Sequence, residues 1–340
     1  MIAILAVIAI LCLWGVRFSP FHEDYCAKEP TTAIKGVLAL IILTSHIRGY
    51  ILLQPTTVNH LFLAFFQYLD QSMVALYFFY SGFGICQSLK HKKHYRNHFL
   101  KNRFLKTLLH FDLAVLLYVL ASFIPRAGHL YPLKNYLFCW TGWESVGNSN
   151  WFMFVILALY LIAFAMMWTR EGWMALKVLI PTVILWIILY FTHMGQYWWY
   201  DTLLTFPLGM LFAEVKSHVD QALRKPLFWW LSFLGLAVTY IGTHHLIGVD
   251  QWGIVNCIFC LLIVVGSMKV QIGNPVLKWL GINAFAIYIL QRLPMNILSG
   301  FGLNGYVAVF VPLAIALSFL LAWGFTMTTD RIDRKLFQRS

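Results

Sequence analysis

His46 and Lys35 are the residues of this 340-residue chain whose types and spacing best suit chemistry. Both lie in AIKGVLALIILTSHIRGYILL, with ten apolar or small residues between them, and an ionisable group at depth in hydrocarbon is costly enough to imply a use. As an α-helix, eleven positions turn through about 1100°, which brings His46 back to within about 20° of the Lys35 azimuth and about 16 Å further along the axis. A phosphate held at Lys35 can therefore send a long, thin arm up one helix face and present its reactive end beside the imidazole. Coenzyme A has that shape, with an anionic nucleotide and a thioester at the tip of an extended chain. His46 is then a candidate general base or acyl carrier. The structural alternative is a histidine bonded to a neighbouring helix and a lysine that marks the inner end.

Other residues offer less. The run KHKKHYRNHFLKNRFLK, from Lys90 to Lys106, interleaves cations with Tyr95, Phe99, Phe104 and Leu105 and is expected to lie as an amphipathic segment on the inner membrane surface. Lipid phosphates or a phosphorylated ligand would satisfy it equally. Ser81, in YFFYSGFGI, reads as a small packing residue in preference to a nucleophile. Arg292 lies with Tyr288 and Gln291 in the outward half of an apolar run, where Glu144 or Asp201 is a candidate counter-ion. Arg48 is about 200° around the helix from His46 and is expected to reach for outer headgroups. His110 and Asp112 read as interfacial. His244 and His245 lack the further ligands of a metal site, and Cys257 and Cys260 form a CxxC without a second pair, so no metal is expected.

The elements that position these residues are set by composition. With 60% hydrophobic and 11% charged residues and a mean hydropathy of +0.72, the chain is not a water-soluble domain, and its net charge of +12 needs no nucleic acid to explain it. Eleven apolar runs predict an all-α, polytopic transmembrane bundle: 1–16, 36–53, 72–89, 107–124, 151–168, 176–192, 202–215, 227–245, 253–268, 282–298 and 305–327. The first is read as a retained helix, and the weakest is 202–215, which carries Pro207 and Gly209. With the N-terminus outside, 21 of the 25 Lys and Arg fall in the inner intervals, Arg170 and Arg339 among them, and only Arg48, Arg126, Lys134 and Arg292 fall elsewhere. The expected placement is a cell membrane with a cytoplasmic C-terminus. The intervals 54–71, 193–201, 246–252 and 299–304 become outer loops, and a longer one, Pro125 to Asn150, carries Trp140, Trp143, Glu144 and Asn148. Interface anchoring is the expectation for this loop, ahead of contact with a sugar.

Lys35 with His46, YFFYSGFGI, the basic run ending Arg103 to Lys106, NWFMFVILALY from Asn150 and LGINAFAIYILQRLP from Leu280 together resemble the acyltransferase-3 family of membrane acyltransferases. The family's signature is Arg, ten residues, His, followed by Arg-x-x-Arg in the basic loop. Lys35 and Lys106 each stand where the family has Arg, which keeps the charge and loses the bidentate fork. The resemblance implies a donor, acyl-CoA and by default acetyl-CoA, bound near Lys35, Arg103 and Lys106. It also implies an extracytoplasmic glycan or glycolipid acceptor, no tightly bound cofactor, and a cell-envelope O-acetylation role. The expected division is an added N-terminal helix and connection, 1–32, before an acyltransferase unit, 33–340. The rival reading is a transporter or lipid-linked glycan flippase, with His46 and Arg292 lining a polar path.

Overall fold

The computed structural model describes residues 2–53, 55–69, 71–169, 172–193, 196–246 and 252–337; Arg170, Arg339, the His245 side chain and part of the 246–252 loop lie outside the described residues. The fold is all-helical. In chain order the main helices are α1 (Ile2–Leu13), α2 (Lys28–Arg48), α3 (Thr57–Leu69), α4 (Ser72–His91), α5 (Tyr95–Ser122), α6 (Leu133–Phe138), α7 (Trp151–Met166), α8 (Met174–Thr192) and α9 (Thr205–Leu223). They continue with α10 (Pro226–Leu246), α11 (Trp252–Ser267), α12 (Pro275–Ile282), α13 (Ala284–Leu290), α14 (Arg292–Gly300) and α15 (Val307–Leu336).

Among the described residues, six stretches are long and apolar enough to cross a membrane: Lys28–Arg48, Thr57–His91, Tyr95–Ser122, Met174–Thr192, Pro226–His244 and Val307–Leu336. Ile2–Leu13, Trp151–Met166 and Gly253–Ser267 are shorter apolar helices. Two of the eleven apolar runs take forms that hydropathy does not reveal. Run 202–215 becomes α9, which extends past the apolar stretch through Glu214, Lys216 and Asp220. Run 282–298 is divided between α13 and α14, because Pro294 has no N–H for the Leu290 carbonyl and its ring crowds that turn. The 54–71 interval, expected as loop, holds α3, whose Phe62 and Phe66 are buried one turn apart.

Two close helix crossings fix the centre of the bundle. A Cβ built on Gly36 of α2 would collide with the Leu277 carbonyl of α12, and one on Gly281 would collide with the Thr32 carbonyl of α2. A Cβ on Gly82 of α4 would likewise strike the Phe206 carbonyl of α9, and one on Gly209 the Phe79 carbonyl of α4. Small residues let backbones approach in this way where lipid supplies no hydrophobic drive between helices. A two-stranded antiparallel pair, Arg17–Phe18 with Val270–Gln271, ties the chain after α1 to the start of α12.

These crossings predict a contrast. Gly281→Val should lower thermal stability by about 1–3 kcal/mol, as overpacking does. Gly324→Ala, where nothing lies within 4 Å of an added Cβ, should leave it unchanged or raise it slightly. Thermal unfolding in detergent compares the two.

Candidate active site

Helix α2 connects two cavities. At its Lys28 end is a cavity of about 900 Å³ lined by Lys28, Lys35, Tyr80, Ser81, Arg103 and Tyr160, among others. At its Arg48 end is one of about 870 Å³ that takes in His46, Arg48, Trp143, Glu144 and Arg292. Between them lies an apolar space of about 50 Å³ bounded by Val74, Tyr77, Phe152, Ala284, Phe285 and Tyr288. Tyr77, Phe152, Ala284 and Phe285 also line the first cavity. Tyr288 faces the other way too, its ring centroid 6.4 Å from that of His46 and 5.1 Å from that of Phe152. Lys35 and His46 thus line cavities at opposite ends of α2, with Tyr77, Phe152, Phe285 and Tyr288 forming an aromatic layer between them.

The first cavity pairs cations with phenols. The Lys35 ammonium lies 5.9 Å from the centroid of the Tyr80 ring, and the Tyr77 hydroxyl donates to the Lys35 carbonyl at 3.0 Å, which holds α4 against α2. Ser81 Oγ and the Tyr160 hydroxyl are 3.1 Å apart. That contact joins α4 to α7, while the neighbouring Gly82, about 100° around the helix, makes the backbone contact with α9. Arg103 Nε donates to the Tyr95 hydroxyl at 3.3 Å.

Arg103 and Lys106 part company. Residues Leu100–Leu105 form a π-helical segment within α5, and its wider i→i+5 turn separates side chains that an α-helix would keep on one side. Arg103 enters the cavity, while Lys106 is not among its lining residues and bonds Asp333 of α15 at 2.6 Å. His110 contacts the other Asp333 oxygen at 2.9 Å. The basic run begins at the end of α4 with Lys90 and His91, and from Tyr95 it is the start of the long helix α5, where Phe99 is fully buried against Tyr160 and Phe164 of α7.

The second cavity collects polar atoms that lack partners. His46 Nδ1, Arg292 Nε, Asn148 Nδ2 and Ser149 Oγ are buried without a hydrogen bond among the described residues. Glu144 pairs with Lys134 at 3.2 Å and accepts from Asn135, so its described partners do not include Arg292. Asp201 is buried, and its carbonyl accepts from Asn256 Nδ2 at 3.1 Å. The 125–150 segment turns inward. Trp143 packs on Phe154, His193 and Trp199 at centroid distances of 5.0, 4.3 and 5.7 Å, whereas Trp140 stays exposed. Burial holds the His193 imidazole below its ordinary pKa, against the pull of Glu144, so the ring is neutral at pH 7. Arg48 reaches the Phe66 ring at 5.5 Å and lines this cavity. His193, Trp199, Asn148 and Ser149 were not singled out by sequence as a group; the clustering of Trp, His and Asn near the expected outer loops is the signal that could have found them.

A family model described as an acyltransferase domain matches residues 32–327. The chain belongs to the acyltransferase-3 family. No curated protein and no solved structure matches it. As an acyltransferase-3 chain with several membrane-length apolar helices, it is a multi-pass membrane protein of an acyltransferase family. The match begins within α2 and runs through most of α15, and so includes every residue lining the His46 cavity and most of those lining the Lys35 cavity. Among the described residues, no group of three or more His, Cys, Asp or Glu is arranged to hold a metal ion.

The Lys106–Asp333 contact yields a prediction. Lys106→Ala and Asp333→Ala should each destabilise the protein, and a double-mutant cycle on thermal unfolding should show a coupling of roughly 0.5–3 kcal/mol. Additive effects would show that the pair is energetically idle.

Proposed function

We propose that this protein transfers an acyl group, by default acetyl, from cytoplasmic acyl-CoA to a hydroxyl of an extracytoplasmic glycan or glycolipid. The observation that carries the reading is the arrangement along α2: a cationic cavity at one end, a polar one at the other, and between them a small apolar space whose Tyr288 lies beside His46. The bias of basic residues supports a cytoplasmic location for the Lys35 cavity, a cytoplasmic C-terminus and an extracytoplasmic N-terminus in a cell membrane.

In this reading Lys35 and Arg103 hold donor phosphates, and the pantetheine arm extends along α2 between Tyr77, Phe152 and Tyr288. The charged nucleotide stays on its own side, since desolvating it is prohibitive, while the neutral acyl group reaches the imidazole. The acceptor hydroxyl attacks the thioester carbonyl as His46 removes its proton. A C–O bond forms, the C–S bond breaks, and the departing thiolate takes the proton to leave as free CoA. The alternative order acylates His46 first and passes the group on. Arg292 is the candidate donor to the tetrahedral oxyanion, because its buried Nε lacks a partner beside the site. Lys106 enters as the partner of Asp333, which anchors α5 to α15 and so supports the turn that carries Arg103.

His46→Ala should reduce transfer by about 10²–10⁴-fold while the protein remains folded in the membrane. Lys35→Ala should chiefly raise the KM for acyl-CoA. Product formation by the purified protein with labelled acetyl-CoA, together with mass spectrometry of surface glycans, measures both effects. Undiminished transfer by folded His46→Ala would remove the assignment, and labelled acyl group trapped on the protein would identify the two-step route.

A further inference from the structure

The Lys35 cavity is not built by the family domain alone. That domain begins at residue 32, yet Glu23, Asp24, Cys26, Ala27, Lys28 and Thr31 also line the cavity. They belong to the strap that follows α1 and to the first turn of α2. The strap is pinned along its length. Ser19 and His22 donate backbone N–H groups to the Lys269 and Met268 carbonyls at 3.0 and 2.7 Å. Gln271, nearly inaccessible, accepts from Arg17 at 3.0 Å and donates to Asp24 at 2.8 Å. Tyr25 is fully buried and donates its hydroxyl to Asp220 of α9 at 2.6 Å; burial above all keeps its pKa raised, so it remains a donor. Such anchoring makes the strap a fixed wall.

The charges on this wall are sorted. Glu23 pairs with Arg224, Asp24 with Gln271, Glu29 with Lys278, and Lys216 with Asp220. Among the described residues, Lys28, Lys35 and Arg103 line the cavity without a carboxylate partner. Lys28 precedes Lys35 by seven positions, so it falls within about 20° of the same azimuth and about 10 Å further from His46. Lys28, Lys35 and His46 thus form one stripe along α2. The positive end of the α2 dipole adds to the field at Lys28, where Ala27 supplies no side-chain cap.

Coenzyme A carries a diphosphate and, beyond the ribose, a separate 3′-phosphate. We propose that Lys28, at the start of α2 directly after the strap, forms a second anion subsite that takes the ribose 3′-phosphate, with Lys35 and Arg103 left to the diphosphate. This inference rests on the acyl-CoA reading. It assigns a binding function to a segment outside the family domain and makes the protein selective for donors with a phosphorylated ribose.

Calorimetric titration of the purified full-length protein with CoA and with dephospho-CoA, which lacks the 3′-phosphate, tests it. Lys28→Ala should weaken CoA about tenfold and leave dephospho-CoA nearly unchanged, since one charged contact is lost. Lys28→Arg should retain CoA binding, and Lys35→Ala should weaken both ligands. Gln271→Ala, which releases Arg17 and Asp24 together, should resemble Lys28→Ala, with unaltered thermal unfolding as the control for Lys28→Ala. Wild-type CoA affinity in Lys28→Ala, or an equal loss for both ligands, would overturn the subsite. Failure of the wild-type protein to bind either ligand would instead remove the donor reading, and the subsite with it.

Discussion

Direct contact between helix backbones at glycine is the constraint on which the rest of the structure depends. Gly36 and Gly281 let α2 meet α12, and Gly82 and Gly209 let α4 meet α9, at distances that no Cβ would permit. Each contact also orients a cavity residue. Lys35 precedes Gly36 and Ser81 precedes Gly82, so the face that turns into the neighbouring helix leaves the preceding side chain about 100° away, towards the open space. Tight packing and an open cavity are thus two aspects of the same helix rotations. The Tyr77 hydroxyl on the Lys35 carbonyl locks the relative height of α2 and α4.

Much of this was legible in the sequence because helical geometry is rigid. The placement of Lys35 and His46 on one face follows from 3.6 residues per turn, and the all-helical class follows from apolar runs that must satisfy their own backbone groups in lipid. What escaped the sequence were features set by local departures from regularity or by distant partners. The π-helical turn at Leu100–Leu105 separates Arg103 from Lys106, and the register of charges gives no sign of it. The same residues look like a surface segment until Phe99 is seen to be buried against α7. Helix α3 was missed because its polar residues mask the Phe62 and Phe66 pair, and the inward turn of Trp143 depends on His193 and Trp199, about fifty positions later.

The two cavities differ in how their polar atoms are satisfied. At the Lys35 end phenols and a hydroxyl accompany the cations, with Tyr95 on Arg103 and Tyr160 on Ser81, although the buried Tyr80 hydroxyl has no partner among the described residues. At the His46 end several buried donors and acceptors have no partner among the described residues. Unpaired buried polar groups cost about 1–3 kcal/mol each, so a cluster of them beside a histidine favours water or a ligand that supplies the missing bonds. Ion pairs such as Lys106–Asp333 lie away from this cavity, whereas His46, Asn148, Ser149 and Arg292 bring unsatisfied atoms together within it.

The apolar collar of Tyr77, Phe152, Phe285 and Tyr288 has an electrical consequence. Two water-accessible hollows that approach each other within a bilayer confine most of the transmembrane voltage to the thin partition between them. Moving one elementary charge through such a partition involves about 2.3 kcal/mol per 100 mV, besides the cost of stripping its water. The collar encloses only about 50 Å³ and presents no charged side chain among its lining residues, so it insulates. An ion entering such a partition would meet that electrical cost in full, whereas an uncharged group would do no electrical work in the same field.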